Sequence, residues 1–389
     1  MAHHVEDDPT LRDKAWRKLW LNYAKERACF LTGYRTMEAE FQFYRNQSQF
    51  DKQLTEKLEH LYRNPKYNRY MFKFVIKGGK LVSKKCTDCN WIASVTAAPG
   101  LKILEEIAEY FDNLTVYFNE GDGGKTALNL LNPKLPPFTL EELCGVTTAS
   151  SFGTASRRRF AKIDNIYSEP LPVLSVSKIT GCFGDILAPG LGEDLPRTSC
   201  TLAIPWLRKR PAIFWRGGST GGGPWGYRNT VMDTVKRSGL ITDVAFQRIL
   251  EADAKLLKQI GGVSKGEHIC MHQQYKYLLD IDGNSYSRRF PTLASNYACI
   301  LRFGVYSTWY HDFLQNGTHY VHMPEAAATD PAVFLQHFPY SDAFAEKLAR
   351  MMAKDARFVM SDGAKCYWLR LLLNYADTFG YQINPNKLL

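Results

Sequence analysis

The sequence predicts an α/β protein, and three features of it carry that prediction. Apolar runs of strand length alternate with segments of helical period, the pattern of strand–helix–strand units and parallel sheets. Several of the runs end in loops of glycine, hydroxyl and arginine residues. The rhythm restarts near residue 200, so the chain reads as two Rossmann-like domains facing a cleft, preceded by a helical extension.

Residues 1–65 form that extension: Trp16, Leu19, Trp20, Tyr23 and Ala24 recur at helical spacing, with basic residues between them. Tyr70 to Ile76, the turn Lys77-Gly78-Gly79-Lys80 and Leu81-Val82 predict a β-hairpin. Residues 101–111 read as a helix, and Leu114 to Phe118 as a strand running into the loop Asn119-Glu120-Gly121-Asp122-Gly123-Gly124. Pro172 to Ser177 is a further strand, and 181–200 is loop-like. After the seam, Ala212 to Trp215 is a strand ending in a glycine-rich loop, 225–238 is helical, and Tyr275 to Ile281 and Leu293 to Phe303 hold strands. Residues 341–354 and 364–379 are helical, and no internal repeat is visible.

The chain carries a net charge of +10, which suits nucleic acid, an anionic surface or a phosphorylated substrate. Arg157-Arg158-Arg159 and Arg208-Lys209-Arg210 are the densest basic clusters; the charge is otherwise spread, and no nucleic-acid-binding motif accompanies it. Nine scattered cysteines are no small disulfide framework, and Cys86-Thr87-Asp88-Cys89 reads as a local disulfide or two ordinary thiols. No run approaches the roughly 18 apolar residues of a membrane helix. The acidic, polar N-terminus is not a signal peptide. Three sequons, at Asn46, Asn113 and Asn316, matter only in a secretory compartment. The chain is therefore expected in the endoplasmic reticulum or Golgi lumen if a targeting segment has been removed, and in the cytoplasm otherwise.

Three segments carry candidate chemistry. Phe214-Trp215-Arg216-Gly217-Gly218-Ser219-Thr220 leads from a strand into a helix containing Arg228. Glycines let backbone N–H groups approach a phosphate, and arginine grips two of its oxygens in a fork. It is neither a Walker A loop nor a dinucleotide fingerprint. The second segment, Tyr275-Lys276 through Asp280, Asp282 and Ser287 to Arg288-Arg289, ends a strand in Asp-x-Asp-Gly and paired arginines. Asp280 and Asp282 suit a divalent ion, or Asp282 simply forms the turn. The third is the strand exit at Glu120 and Asp122, where a carboxylate can take a proton from an attacking hydroxyl. His319-x-x-His322 lacks a third metal ligand, and the histidines read as packing residues.

Taken together, these segments resemble glycosyltransferase family 90. The matching pieces, in order, are Phe118 to Asp122; Pro172 to Lys178 with Asp185-Ile186-Leu187-Ala188-Pro189; Phe214 to Gly222; Tyr275 to Phe290; His319-Tyr320-Val321; and Cys366-Tyr367-Trp368. The resemblance implies a GT-B architecture, with an acceptor domain over 66–200 joined by the C-terminal helix 364–389 and a donor-binding domain over 201–363. It implies inverting transfer of xylose or glucose from a UDP-sugar to a hydroxyl of a glycan or protein, with no cofactor and no metal ion. The wording of the Trp215 to Gly222 loop leans toward xylose. Asp122 is then the catalytic base, with Glu120 as runner-up because Gly123-Gly124 stand where the family carries proline. Arg216, Gly217, Ser219, Thr220, Arg228, Ser287 and Arg289 would hold the diphosphate, and Ser177, Lys178, Asp185, Lys276 and Asp282 would line the cleft. The alternative is a non-catalytic homologue that binds a nucleotide sugar or carbohydrate.

Overall fold

The computed structural model describes residues 14–26, 29, 33–46, 52–68, 70–87, 99–121, 170–180, 183–192, 204–220, 227–249, 263–264, 267–283, 285–339 and 341–384. Three helices open the chain: α1 (Lys14–Glu26), α2 (Arg35–Arg45) and α3 (Lys52–Arg63). The first half continues with β1 (Met71–Lys77), β2 (Lys80–Cys86), α4 (Pro99–Ile107), β3 (Phe111–Asn119), β4 (Leu174–Ser175) and β5 (Ile186–Leu187). The second half holds β6 (Arg210–Gly218), α5 (Tyr227–Arg237), β7 (Thr242–Arg248), β8 (Tyr275–Ile281), α6 (Phe290–Ala294), β9 (Cys299–Phe303) and β10 (Val321–His322). Helices α7 (Pro331–His337), α8 (Asp342–Phe358) and α9 (Ala364–Phe379) follow, then β11 (Gln382–Ile383).

Two sheets result. The second has the order β10-β9-β8-β6-β7, and every neighbouring pair is parallel. Its central strands β6, β8 and β9 are buried on both faces over most of their length, as covered parallel sheets require. Phe214, Leu278 and Ile300 join one core, and Trp215, Leu279 and Leu301 join the other. From β6 the chain goes to β7 on one side and then crosses to β8 on the other. That reversal is a topological switch point, and it lies between β6 and β8.

The first sheet runs β2-β1-β3-β4-β5, with β11 also on β3. Outside the hairpin the sequence predicted parallel pairing here as well, but only β3-β4-β5 is parallel; β1-β3 and β11-β3 are antiparallel, as is the predicted hairpin pair β1-β2. The hairpin turn accounts for β1-β2. Gly78 and Gly79, both at positive φ (54° and 76°), turn the chain within two residues, and only antiparallel strands can be joined so tightly. Strand β7 was not read from the sequence, because its apolar stretch is only Val244-Ala245-Phe246, with polar residues on either side.

Helix α9 returns to the first half, where Trp368 meets Phe118 of β3 at 5.7 Å between ring centroids. A disulfide between Cys29 and Cys366 pins the N-terminal helices to it. Cys86 and Cys270 are disulfide-bonded too, and Cys299 is the free cysteine among the described residues. No described helix is long and apolar enough to cross a membrane.

Candidate functional site

A cavity of about 650 Å³ opens where the C-terminal ends of β6, β7 and β8 face the end of β3. The second half lines it with Arg228, Arg248, Arg288 and Arg289, together with Thr220, Gly283, Ser285 and Tyr286; the first half adds Tyr70 and Gly121. Open α/β sheets place ligands at this point, beyond the carboxyl ends of the strands at the switch. With four guanidinium groups and no carboxylate among its described lining residues, this part of the cavity suits an anion.

Each arginine is held differently. Arg289 donates from Nη1 to the carbonyl of Arg216 and lies over the Trp215 ring, 5.0 Å from its centroid. Its Nη2 is buried with no hydrogen-bond partner among the described residues. Burial lowers its pKa, and the nearby Asp280 acts in the opposite sense. Gly217 makes this arrangement possible, since a Cβ there would stand 2.7 Å from the Trp215 ring and 2.9 Å from Arg289 Nη1. Arg228, from the first turn of α5, braces two strand ends. It donates from Nε to Asp282 O (3.1 Å), from Nη2 to Ile281 O (3.0 Å), and from Nη1 to Gly218 O (2.9 Å) and Thr220 Oγ1 (2.5 Å). Arg288 reaches across to the first half and donates from Nη2 to Glu120 O, 2.9 Å away. Arg248 ends β7, where its carbonyl accepts the Ser219 N–H at 3.0 Å.

Several residues expected at the site serve elsewhere. Arg216 does not line the cavity. Side chains alternate along a strand, so its guanidinium faces away from Trp215 and Arg289. It donates to Asp243 Oδ1 (2.5 Å) and O (2.8 Å) and stacks on Phe214 at 4.7 Å. Lys276 sits at the opposite end of β8, about 20 Å from Asp282 at 3.3 Å per residue. There it donates to both Asp342 oxygens, at 2.8 and 2.9 Å. Lys178 pairs with Glu40 at 2.6 Å and donates to Asp185 O at 2.5 Å. Ser177, Ser219 and Ser287 are buried but do not line the cavity. Asp282 turns its carboxylate to the backbone N–H groups of Val305 (2.8 Å) and Tyr306 (3.2 Å), tight against Gly304, where any Cβ would collide with it. Burial pushes the Asp280 carboxyl up to about 6, opposed by Arg302 and Ser287.

On the first-half wall, Glu120 has its carboxylate on the Leu191 N–H at 3.1 Å, and Asp122 lies outside the described residues. A relay holds the strand exit between them. Asn119 Oδ1 accepts the Gly121 N–H (3.0 Å), Asn119 Nδ2 donates to Ser175 Oγ (3.2 Å), and Ser175 Oγ donates to Asp185 (2.6 Å). Asp185 thus acts behind the wall instead of in the cleft. Tyr70 adopts φ 63°, a conformation that side chains other than glycine rarely take, and its carbonyl accepts the Glu120 N–H at 3.1 Å. Sequence reading missed Arg248, Ser285, Tyr286 and Tyr70 as lining residues; the signal for Arg248 was its place at the end of an unrecognised strand. Among the described residues no group of three or more His, Cys, Asp or Glu side chains is placed to hold a metal ion. His319 packs on Asp355 at 3.0 Å and His322 on Arg302 at 3.3 Å.

A parallel sheet with an arginine-lined cavity at its switch point defines an α/β protein equipped to hold a phosphorylated ligand. Comparison with known proteins narrows the class. The family model described as glycosyl transferase family 90 matches residues 198–387, so that stretch of the chain is similar to the family. Protein O-glucosyltransferase 1 of Rattus norvegicus is 25% identical over 263 residues, 59% of this chain and 63% of its own length. The Homo sapiens protein of the same name is 25% identical over 260 residues, with the same coverage. O-glucosyltransferase rumi of Drosophila pseudoobscura pseudoobscura is 26% identical over 246 residues, 56% of this chain and 58% of its own length. The match thus spans about three fifths of these relatives.

Proposed function

We propose that this chain is a glycosyltransferase of GT-B type. It transfers glucose or xylose from a UDP-sugar, with inversion, to a hydroxyl of a protein or glycan. The observation that carries the reading is the set of four arginines around one cavity at the switch point of the parallel sheet. The relatives' names favour glucose as the sugar and protein as the acceptor. The bonded cysteines fit a lumenal, oxidising compartment.

In this mechanism Asp122, one residue beyond the cavity-lining Gly121, takes the proton of the acceptor hydroxyl. The hydroxyl oxygen attacks the anomeric carbon from the face opposite the diphosphate, through an oxocarbenium-like transition state. The bond to UDP breaks and negative charge grows on the leaving diphosphate. Arg289, whose Nη2 has no hydrogen-bond partner among the described residues, and Arg248 meet that charge, while Arg228 and Thr220 keep the strand ends in place. Fixed guanidinium groups supply the charge compensation, so the reading requires no metal ion. It assigns Arg216 a different role from the one expected of it: its carbonyl orients Arg289.

Thermal shift with UDP, UDP-glucose and UDP-xylose tests the reading. A nucleotide that binds the folded chain stabilises it by about 2.7 kcal/mol at 100 times its Kd. Arg289→Ala should abolish most of the UDP-induced shift and lower turnover by about 10²–10³-fold. A chain whose melting point ignores UDP, or an Arg289→Ala variant that binds UDP unchanged, overturns it.

A further inference from the structure

The sequon Asn316-Gly317-Thr318 has no part in the cavity. Its three residues are exposed in the turn before β10. The turn is closed by the Gly317 N–H on Tyr320 O (2.8 Å) and the Thr318 N–H on Gln315 O (3.3 Å). Asn316 Oδ1 accepts the His322 N–H at 2.7 Å, which fixes the carboxamide by its oxygen. Among the described residues its Nδ2 donates no hydrogen bond. The space around the turn is open: a Cβ on Gly317, which sits at φ 76°, would meet nothing within 4 Å.

We propose that Asn316 carries an N-linked oligosaccharide. The donor class is an oligosaccharide on a lipid diphosphate, delivered by the host's membrane-bound transferase. Nδ2 forms a bond to the anomeric carbon and loses one proton to the transferase's base; the bond from that carbon to the diphosphate oxygen breaks, and the lipid diphosphate leaves. Because the new bond is on nitrogen, the hydrogen bond from His322 to Oδ1 survives the modification. The other two sequons are less suited. Asn113 sits inside β3, its backbone paired with Lys77 on β1 and with Gln382 on β11. Asn46 ends α2 and accepts from Gln42 at 2.6 Å, and the rest of its sequon lies outside the described residues.

The proposal rests on the lumenal reading above, and the bridge between Cys29 and Cys366 lets the two be separated. The full chain is purified from its source cells and treated with the amidase that releases N-glycans, in heavy-oxygen water, and its peptides are mapped by mass spectrometry. The expected result is Asn316 converted to labelled aspartate, with a gain in gel mobility on release. Thr318→Ala should lose that gain and Thr318→Ser should keep it; neither change touches the hydrogen bond between Asn316 and His322. An unmodified Asn316 in a chain whose Cys29–Cys366 bridge is formed overturns the proposal alone. Unmodified Asn316 with both cysteines reduced overturns the compartment reading, and the proposal with it.

Discussion

The second-sheet wall of the cavity carries four arginines: Arg248 at the end of β7, Arg228 in the first turn of α5, and Arg288 and Arg289 in the turn between β8 and α6. The first-sheet wall offers Tyr70 and Gly121, at the exit of β3 beside strands only two residues long. Charge on one side is presented from a strand end, a helix start and a turn that leave the same parallel sheet. On the other side the backbone is steered by buried polar relays, a left-handed tyrosine and an arginine borrowed from the opposite wall. A wall that must hold a diphosphate needs fixed positive groups. A wall that must bring up an acceptor needs a chain end placed accurately, and few side chains of its own.

Changes on opposite walls should therefore separate chemistry from donor binding. The largest effect is expected for Asp122→Asn, a loss of about 10²–10⁴-fold in turnover with UDP affinity spared. Full transfer activity in that variant removes Asp122 as the base, and Glu120, committed to Leu191, is a poor substitute. Arg288→Ala cuts the tie to Glu120 O and should lower turnover by up to about 100-fold, as misplacement of a reacting group does. Its UDP affinity should fall by less; an affinity loss as large as the turnover loss would make Arg288 a plain diphosphate ligand. Gly304→Ala forces a methyl group against the Asp282 carboxylate at the end of β8 and should cost about 1–3 kcal/mol of stability, read by denaturant unfolding. An unchanged midpoint would mean that this strand end is looser than its hydrogen bonds imply.

The smallest effect concerns acid. His311 is buried among Arg302 and His322, its Nδ1 accepts the Thr308 N–H at 3.0 Å, and its pKa lies well below 6.5. As pH falls through about 6.5, the unfolded chain takes up a proton that the folded imidazole refuses, so stability is lost on acidification. His322, also lowered by burial and Arg302, acts in the same sense; Asp280, raised to about 6, acts in the opposite one. The test is thus a difference between chains. His311→Asn should lose less stability between pH 7 and pH 5, by up to about 1.4 kcal/mol per pH unit. Parallel profiles for the two chains would show that His311 titrates normally.

Much of the second half was legible. Tyr275 to Ile281 is a strand at the residues where its mainly apolar, aromatic-rich run placed it, because a strand buried on both faces announces itself by composition. Thr220, Arg228 and Arg289 were found because glycines and hydroxyls at a strand end mark the place where backbone approaches an anion. Arg216 stood in the same motif yet faces the other way, since a one-residue step along a strand reverses the side chain. The glycine turn made the antiparallel β1-β2 hairpin legible, whereas the antiparallel joining of β3 to β1 and of β11 to β3 was not, because those strands are distant in the chain.

By itself the sequence determined the α/β class, the resemblance to a glycosyltransferase family and several of the segments that meet at the cavity, because periodicity, strand-end glycines and motif order are local properties of a chain. Tertiary structure alone decided which arginines face the cavity, that Arg248 and Tyr70 join it, and that Cys29 finds Cys366 across 337 residues. Those outcomes depend on strand order and side-chain direction in three dimensions, and a linear string records neither.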